Sequence, residues 1–142
     1  MPVHILIVDD HYVVREGVRT LLALLRPAWE LTEAENSSTA IEAIEKQENP
    51  ELIVMDITMP GINGLEAASR IRELGFVHPI LILTIHELPG IVNLVQQAGA
   101  QGYVLKSQAA DDLVQAIDTL LGGGAFFEGG PEPERSGGYL QS

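Results

Sequence analysis

The stretch HILIVDDH, residues 4–11, decides how this chain is read. An apolar run closes on two adjacent carboxylates, Asp9 and Asp10. Near-continuous apolar residues, without polar alternation, suit a strand covered on both faces within a parallel sheet. Side by side, the two carboxylates repel each other, so something that uses negative charge at that place is expected to justify them.

The same pattern recurs along the chain. VHILIV (3–8), LIVM (52–55), PILIL (79–83) and YVL (103–105) read as buried strands, and the mixed WELTEA (29–34) reads as an edge strand. Helical patterns lie between them. Val14, Val18, Leu21, Leu22 and Leu25 fall on one stripe of a helix that Pro27 stops. Thr39 and Glu42 have capping-box spacing ahead of the apolar face Ile41 and Ile44. Asn63, with Glu66 three residues on, opens a helix that leaves at Gly75. A fourth helix leaves at Gly99, and Leu113, Ile117, Leu120 and Leu121 mark a fifth. Strand and helix thus alternate about five times, which predicts an open parallel α/β sheet with helices on both faces.

Composition narrows the function. The 142 residues make about one domain, 46% hydrophobic and 20% charged. A formal net charge of −12 disfavours a grip on nucleic acid or an anionic membrane and suits a cationic partner or a divalent metal. The absence of cysteine excludes disulfides, thiolate metal sites and cysteine nucleophiles. No secretory leader or membrane span is legible, so a cytoplasmic location is expected. Residues 1–124 are expected to form the domain and 125–142 a flexible glycine- and proline-rich linker, with Phe126–Phe127 able to dock on the domain.

In open parallel sheets ligands bind beyond the carboxyl ends of the strands. There the chain places Asp9 and Asp10, Asp56, Thr84 and Lys106. Three carboxylates in one pocket call for a hard divalent cation such as Mg²⁺. With a metal neutralising an incoming phosphoryl group, Asp56 could act as nucleophile. Thr84 and Lys106 could then bind phosphoryl oxygens. Each residue alone has a plainer reading: a cap, a turn, a strand-end hydroxyl, a solvated amine. Their convergence on one rim is what points to phosphate chemistry.

VDDH with VREG, MDITMPGINGLE, LILTIH and GYVLKS stand in this order along the chain. In these four motifs residues 3–121 resemble the receiver domain of bacterial two-component response regulators. DDH, TIH, GYVLK and GGAFF resemble most the subfamily in which the receiver precedes a LuxR/NarL-type helix-turn-helix. The resemblance implies a flavodoxin-like (βα)5 fold with strand order 2-1-3-4-5. It implies that Asp56 is the phospho-acceptor and that Asp10, Asp56 and the Thr58 carbonyl hold Mg²⁺, with Asp9 assisting through water. It makes Thr84 and Tyr103 the switch residues. It further implies a sensor histidine kinase as donor, dimerisation on phosphorylation, and DNA binding through a C-terminal domain that these residues do not include. No enzymatic activity is implied beyond the domain's own phosphorylation and dephosphorylation.

Three positions depart from the family pattern. Ile85 follows Thr84 where a small residue is commoner, Ser107 stands where proline is common, and Pro89–Gly90 should delay the fourth helix. His11 and His86 flank the rim and suit loop packing or a modulating role. Two other functions compete with the phospho-switch. One is a phosphate-independent interaction module, which the presence of every matched site residue argues against and the bulk of Ile85 keeps open. The other is a phosphohydrolase working through an aspartyl phosphate, which would need an Asp where Thr58 stands.

Overall fold

The computed structural model describes residues 2–85 and 87–127, together with the backbone of 130–131. Five parallel strands form the body of one sheet: β1 (His4–Val8), β2 (Glu30–Ala34), β3 (Leu52–Asp56), β4 (Ile80–Thr84) and β5 (Gly102–Leu105). Between them run α1 (Tyr12–Leu25), α2 (Ser37–Glu45), α3 (Gly64–Glu73) and α4 (Ile91–Gln97), and α5 (Ala109–Leu121) follows β5. The strand order is β2-β1-β3-β4-β5, the flavodoxin-like order expected, extended beyond β5 by two short strands.

The apolar runs are continuous because successive residues feed different cores. Ile5, Ile7, Leu52, Val54, Leu81, Leu83 and Val104 face the core closed by Val18 and Leu22 of α1 and Leu113, Ile117 and Leu120 of α5. Leu6, Val8, Ile53, Met55, Ile80, Ile82 and Tyr103 face the core closed by α2, α3 and α4. A strand with a helix on each side has no wet face, so alternation disappears. β2 lies at the sheet edge and keeps its mixed character, with only Ala34 buried.

Four local readings need correction. The cap of α2 is Asn36, whose side chain accepts from the Thr39 amide at 2.8 Å; Thr39 is already inside the helix. An asparagine three residues ahead of an open amide out-competes the capping box farther on. Leu25 lies off the buried stripe of α1, 45% exposed, because the helix ends there. Asp56 and Thr84 are the last residues of their strands rather than the first beyond them. The stretch expected as a linker from residue 125 contains sheet structure, Phe126–Phe127 docking as expected: β6 (Phe126–Phe127) joins β5 in parallel, and β7 (Gly130–Pro131) joins β6 antiparallel. Both phenylalanines are buried, and each is worth about 2 kcal/mol of apolar burial, enough to hold a two-residue strand. His86 and the remaining residues of the expected linker lie outside the described residues.

Asn63 caps α3 as read, accepting from the Glu66 amide at 2.9 Å. The fourth helix does begin late, at Ile91, after Gly90 in the left-handed region with φ 73°. Only glycine enters that conformation without strain.

Candidate metal and phosphate site

Strand register gathers the site. Val8 pairs with Met55, so Asp9 and Asp56 stand level at the ends of neighbouring strands. Asp56 pairs with Leu83, which puts Thr84 one step farther along β4. Thr84 pairs in turn with Leu105, one residue before Lys106. The acidic residues thus follow β1 and β3, where the strand order reverses and a crevice opens.

The side chains close on one another there. Lys106 Nζ lies 3.1 Å from Asp9 Oδ2 and 3.0 Å from Asp56 Oδ1. Asp9 and Asp56 are fully buried, Asp10 is about one quarter exposed, and Lys106 is 15% exposed. The Thr58 amide donates to Asp56 Oδ1 at 3.3 Å, folding the loop after β3 back onto the carboxylate. Thr58 itself is exposed. Thr84 is buried at the end of β4, and Ile85 beside it is 51% exposed.

Three buried carboxylate oxygens make no hydrogen bond: Asp9 Oδ2, Asp10 Oδ1 and Asp56 Oδ2. Lys106 is close to the first as an ion pair, but one ammonium cannot balance three carboxylates. Ligand atoms from Asp9, Asp10, His11 and Asp56 all lie within 4.8 Å of one another. Oxygen donors at that spacing, left unsatisfied by the protein, fit a hard divalent cation. Burial, above all, raises the Asp56 carboxyl from its ordinary value of 3.8, and the Asp9 carboxylate adds to this. Hydrogen bonding from Lys106, its charge, and the Thr58 amide oppose the rise.

Tyr103 is 1% exposed and points into the core on the α4 side, where its ring meets Phe127 at 6.1 Å between centroids. Its hydroxyl reaches the Glu87 carboxylate at 3.4 Å, not only water as a core-edge tyrosine would.

Arg15 and Gly64 help to position the site without any chemistry of their own in the sequence, and His11, expected there to pack the loop or modulate the rim, joins them. Arg15 Nη1 donates to the Asp9 carbonyl at 2.7 Å, while its Nε is held by Glu33 at 2.7 Å. A side chain at Gly64 would overlap the Asp56 carbonyl, so glycine there lets α3 approach the end of β3. His11 is the third: its amide donates to Asp9 Oδ1 at 2.8 Å, and its ring nitrogen Nδ1 lies 3.2 Å from Asp10. The pairing of a glycine with the Asn63 cap was the one available hint, at Gly64.

A family profile described as the response regulator receiver domain matches residues 5–118. The transcriptional regulatory protein DegU of Brevibacillus brevis is 41% identical over 129 residues, covering 88% of this chain and 52% of DegU. The nitrate/nitrite response regulator protein NarL of Escherichia coli K12 is 34% identical over 122 residues, covering 86% of this chain and 56% of NarL. The chain therefore spans about half the length of these relatives. A crystal structure of a LuxR-family two-component response regulator from Aurantimonas sp. SI85-9A1 superposes with a TM-score of 0.79 and 39% identity, over 87% of either chain. With a shared profile along most of its length and such relatives in sequence and in fold, the chain belongs to the response regulator receiver domains, in the group typified by LuxR and NarL regulators.

Proposed function

We propose that this domain takes a phosphoryl group onto Asp56 from the phosphohistidine of a sensor histidine kinase. The observation that carries the reading is the asymmetry of the Asp56 carboxylate. Oδ1 is held by Lys106 and the Thr58 amide, while Oδ2 is buried with no hydrogen bond. One oxygen oriented and the other open is the arrangement a carboxylate nucleophile needs. Asp56 attacks phosphorus, the P–N bond of the donor breaks, and the imidazole leaves with its electron pair.

Asp10, Asp56 and the Thr58 carbonyl would hold Mg²⁺, with Asp9 acting through water. The bound ion would supply charge neutralisation for the transferring phosphoryl group. Lys106, already poised between Asp9 and Asp56, would pair with a phosphoryl oxygen, and the Thr84 hydroxyl would bond another. Phosphorylation would then bias a two-state equilibrium in which Thr84 and Tyr103 report to α4, β5 and α5. By analogy with its relatives, that output serves a transcriptional regulator in the cytoplasm, with dimerisation on phosphorylation and DNA bound through a following domain. Residues beyond β7 would be the linker to that domain.

Mass spectrometry after acetyl phosphate treatment tests the reading. The wild type should gain one phosphoryl group with Mg²⁺ and none with EDTA, and Asp56→Asn should gain none. Labelling that is independent of metal, or that persists in Asp56→Asn, would overturn it.

A further inference from the structure

We infer that His11 is a fourth ligand of the metal cup, widening it from oxygen-seeking ions to those that accept an imidazole, such as Mn²⁺ and Co²⁺. The inference rests on the metal-dependent reading above and adds a residue to it. His11 Nδ1 stands 3.2 Å from Asp10 Oδ1 and 3.5 Å from Asp9 Oδ1, on a side chain 60% exposed where Lys106 is 15% exposed. In an octahedral site with bonds of about 2.1 Å, adjacent ligand atoms lie about 3.0 Å apart and opposed ones about 4.2 Å. His11 Nδ1 and Asp10 Oδ1, 3.2 Å apart, have the spacing of adjacent ligands in such a polyhedron, and Asp56 offers a carboxylate oxygen within 4.8 Å of a ligand atom on each residue. The unsatisfied oxygen of the fully buried Asp56 faces the same space, which marks a place for a ligand rather than a solvated acidic patch.

Backbone contacts place the residue beside the cup. The His11 amide is tied to Asp9 Oδ1 at 2.8 Å, and Arg15 fixes the Asp9 carbonyl from behind. His11 is the N-cap residue of α1, but its side chain makes no capping hydrogen bond and is 60% exposed, which leaves the imidazole free of a structural task in the helix. An ion indifferent to nitrogen, such as Mg²⁺, is held by the oxygens while the ring swings into solvent. An ion that accepts nitrogen as well as oxygen takes the ring as a further ligand.

Isothermal titration of Mg²⁺, Mn²⁺ and Co²⁺ into the wild type, His11→Asn, His11→Ala and Asp10→Asn tests this, with pulsed electron paramagnetic resonance on the Mn²⁺ form. Both His11 variants should lose about ten-fold in Mn²⁺ and Co²⁺ affinity while Mg²⁺ affinity changes less than about two-fold. The wild-type Mn²⁺ spectrum should carry a ¹⁴N coupling from directly bound imidazole, absent from both variants. An absent coupling, or equal losses for all three ions, would overturn the role of His11 and leave the metal cup standing. Unchanged binding of every ion by Asp10→Asn would instead overturn the metal-dependent reading itself.

Discussion

At Asp56 a single carboxyl group is asked to be both buried and charged, and its surroundings settle the matter only in part. Lys106 and the Thr58 amide favour the ionised form, but burial and the neighbouring Asp9 outweigh them and raise the carboxyl from 3.8. The folded chain therefore binds this proton more tightly than the unfolded chain does. By linkage, the ionised group costs nothing below about pH 3.8, where both states are protonated. The cost grows above that pH and is complete once the folded-state group has ionised. Asp56→Asn removes it. In EDTA at neutral pH the variant should therefore be more stable than the wild type, because it carries no buried charge at this position. That margin should shrink towards zero as the pH falls to the ordinary carboxylate range. Urea unfolding of the two proteins along a pH series at fixed ionic strength checks it. A variant less stable than the wild type at pH 7 would mean that the pairing with Lys106 outweighs burial.

The inner strands were legible from their nearly continuous apolar runs, which are all that a sheet with helices on both faces asks for, and the edge strand β2 from its mixed character. The gathering of polar residues at one rim was legible too, since Asp9, Asp10, Asp56, Thr84 and Lys106 need only sit at strand ends to be brought together by register. What stayed hidden depends on backbones that meet from far apart in the chain. Gly102 is the clearest instance: a Cβ on it would overlap the Phe126 carbonyl, so the glycine in GYVLK is there to let β6 dock. Phe126 donates its amide to the Gln101 carbonyl at 3.1 Å, and the Phe127 ring meets that of Tyr103 at a tilt of 58°. In a stretch dominated by glycine and proline, composition signals a linker and conceals that strand. Gly102→Ala should expel β6 and cost about 1–3 kcal/mol, in the range of overpacked cores. Hydrogen exchange should show the Phe126 amide losing protection while those of β1, β3 and β4 keep theirs. A protected Phe126 amide in the variant would show that the sheet yields elsewhere and that the glycine is not what admits β6.

For the molecule as a whole, the formal charge of −12 and the clustering of carboxylates at one sheet edge work against the compact state. The structure offsets this locally, with Lys106 the one lysine or arginine ion-paired to Asp9 and Asp56 among the described residues, and with Arg15 and Arg19 drawn onto Glu33 at the flank. A divalent ion in the cup would complete the offset, and because the unfolded chain has no such cup, binding must appear as stability. Above the dissociation constant, each ten-fold rise in free Mg²⁺ should add about 1.4 kcal/mol to unfolding. General screening would instead act on all the charges and follow ionic strength alone, with a Debye length of about 8 Å at 0.15 M. Urea unfolding against free Mg²⁺, with ionic strength held constant by NaCl, separates the two. The wild type should gain stability without limit over the titrated range above the dissociation constant, and Asp10→Asn should gain little. Equal gains in both proteins would assign the effect to diffuse screening of an acidic surface, and the crevice between β1 and β3 would then have no claim to a resident ion.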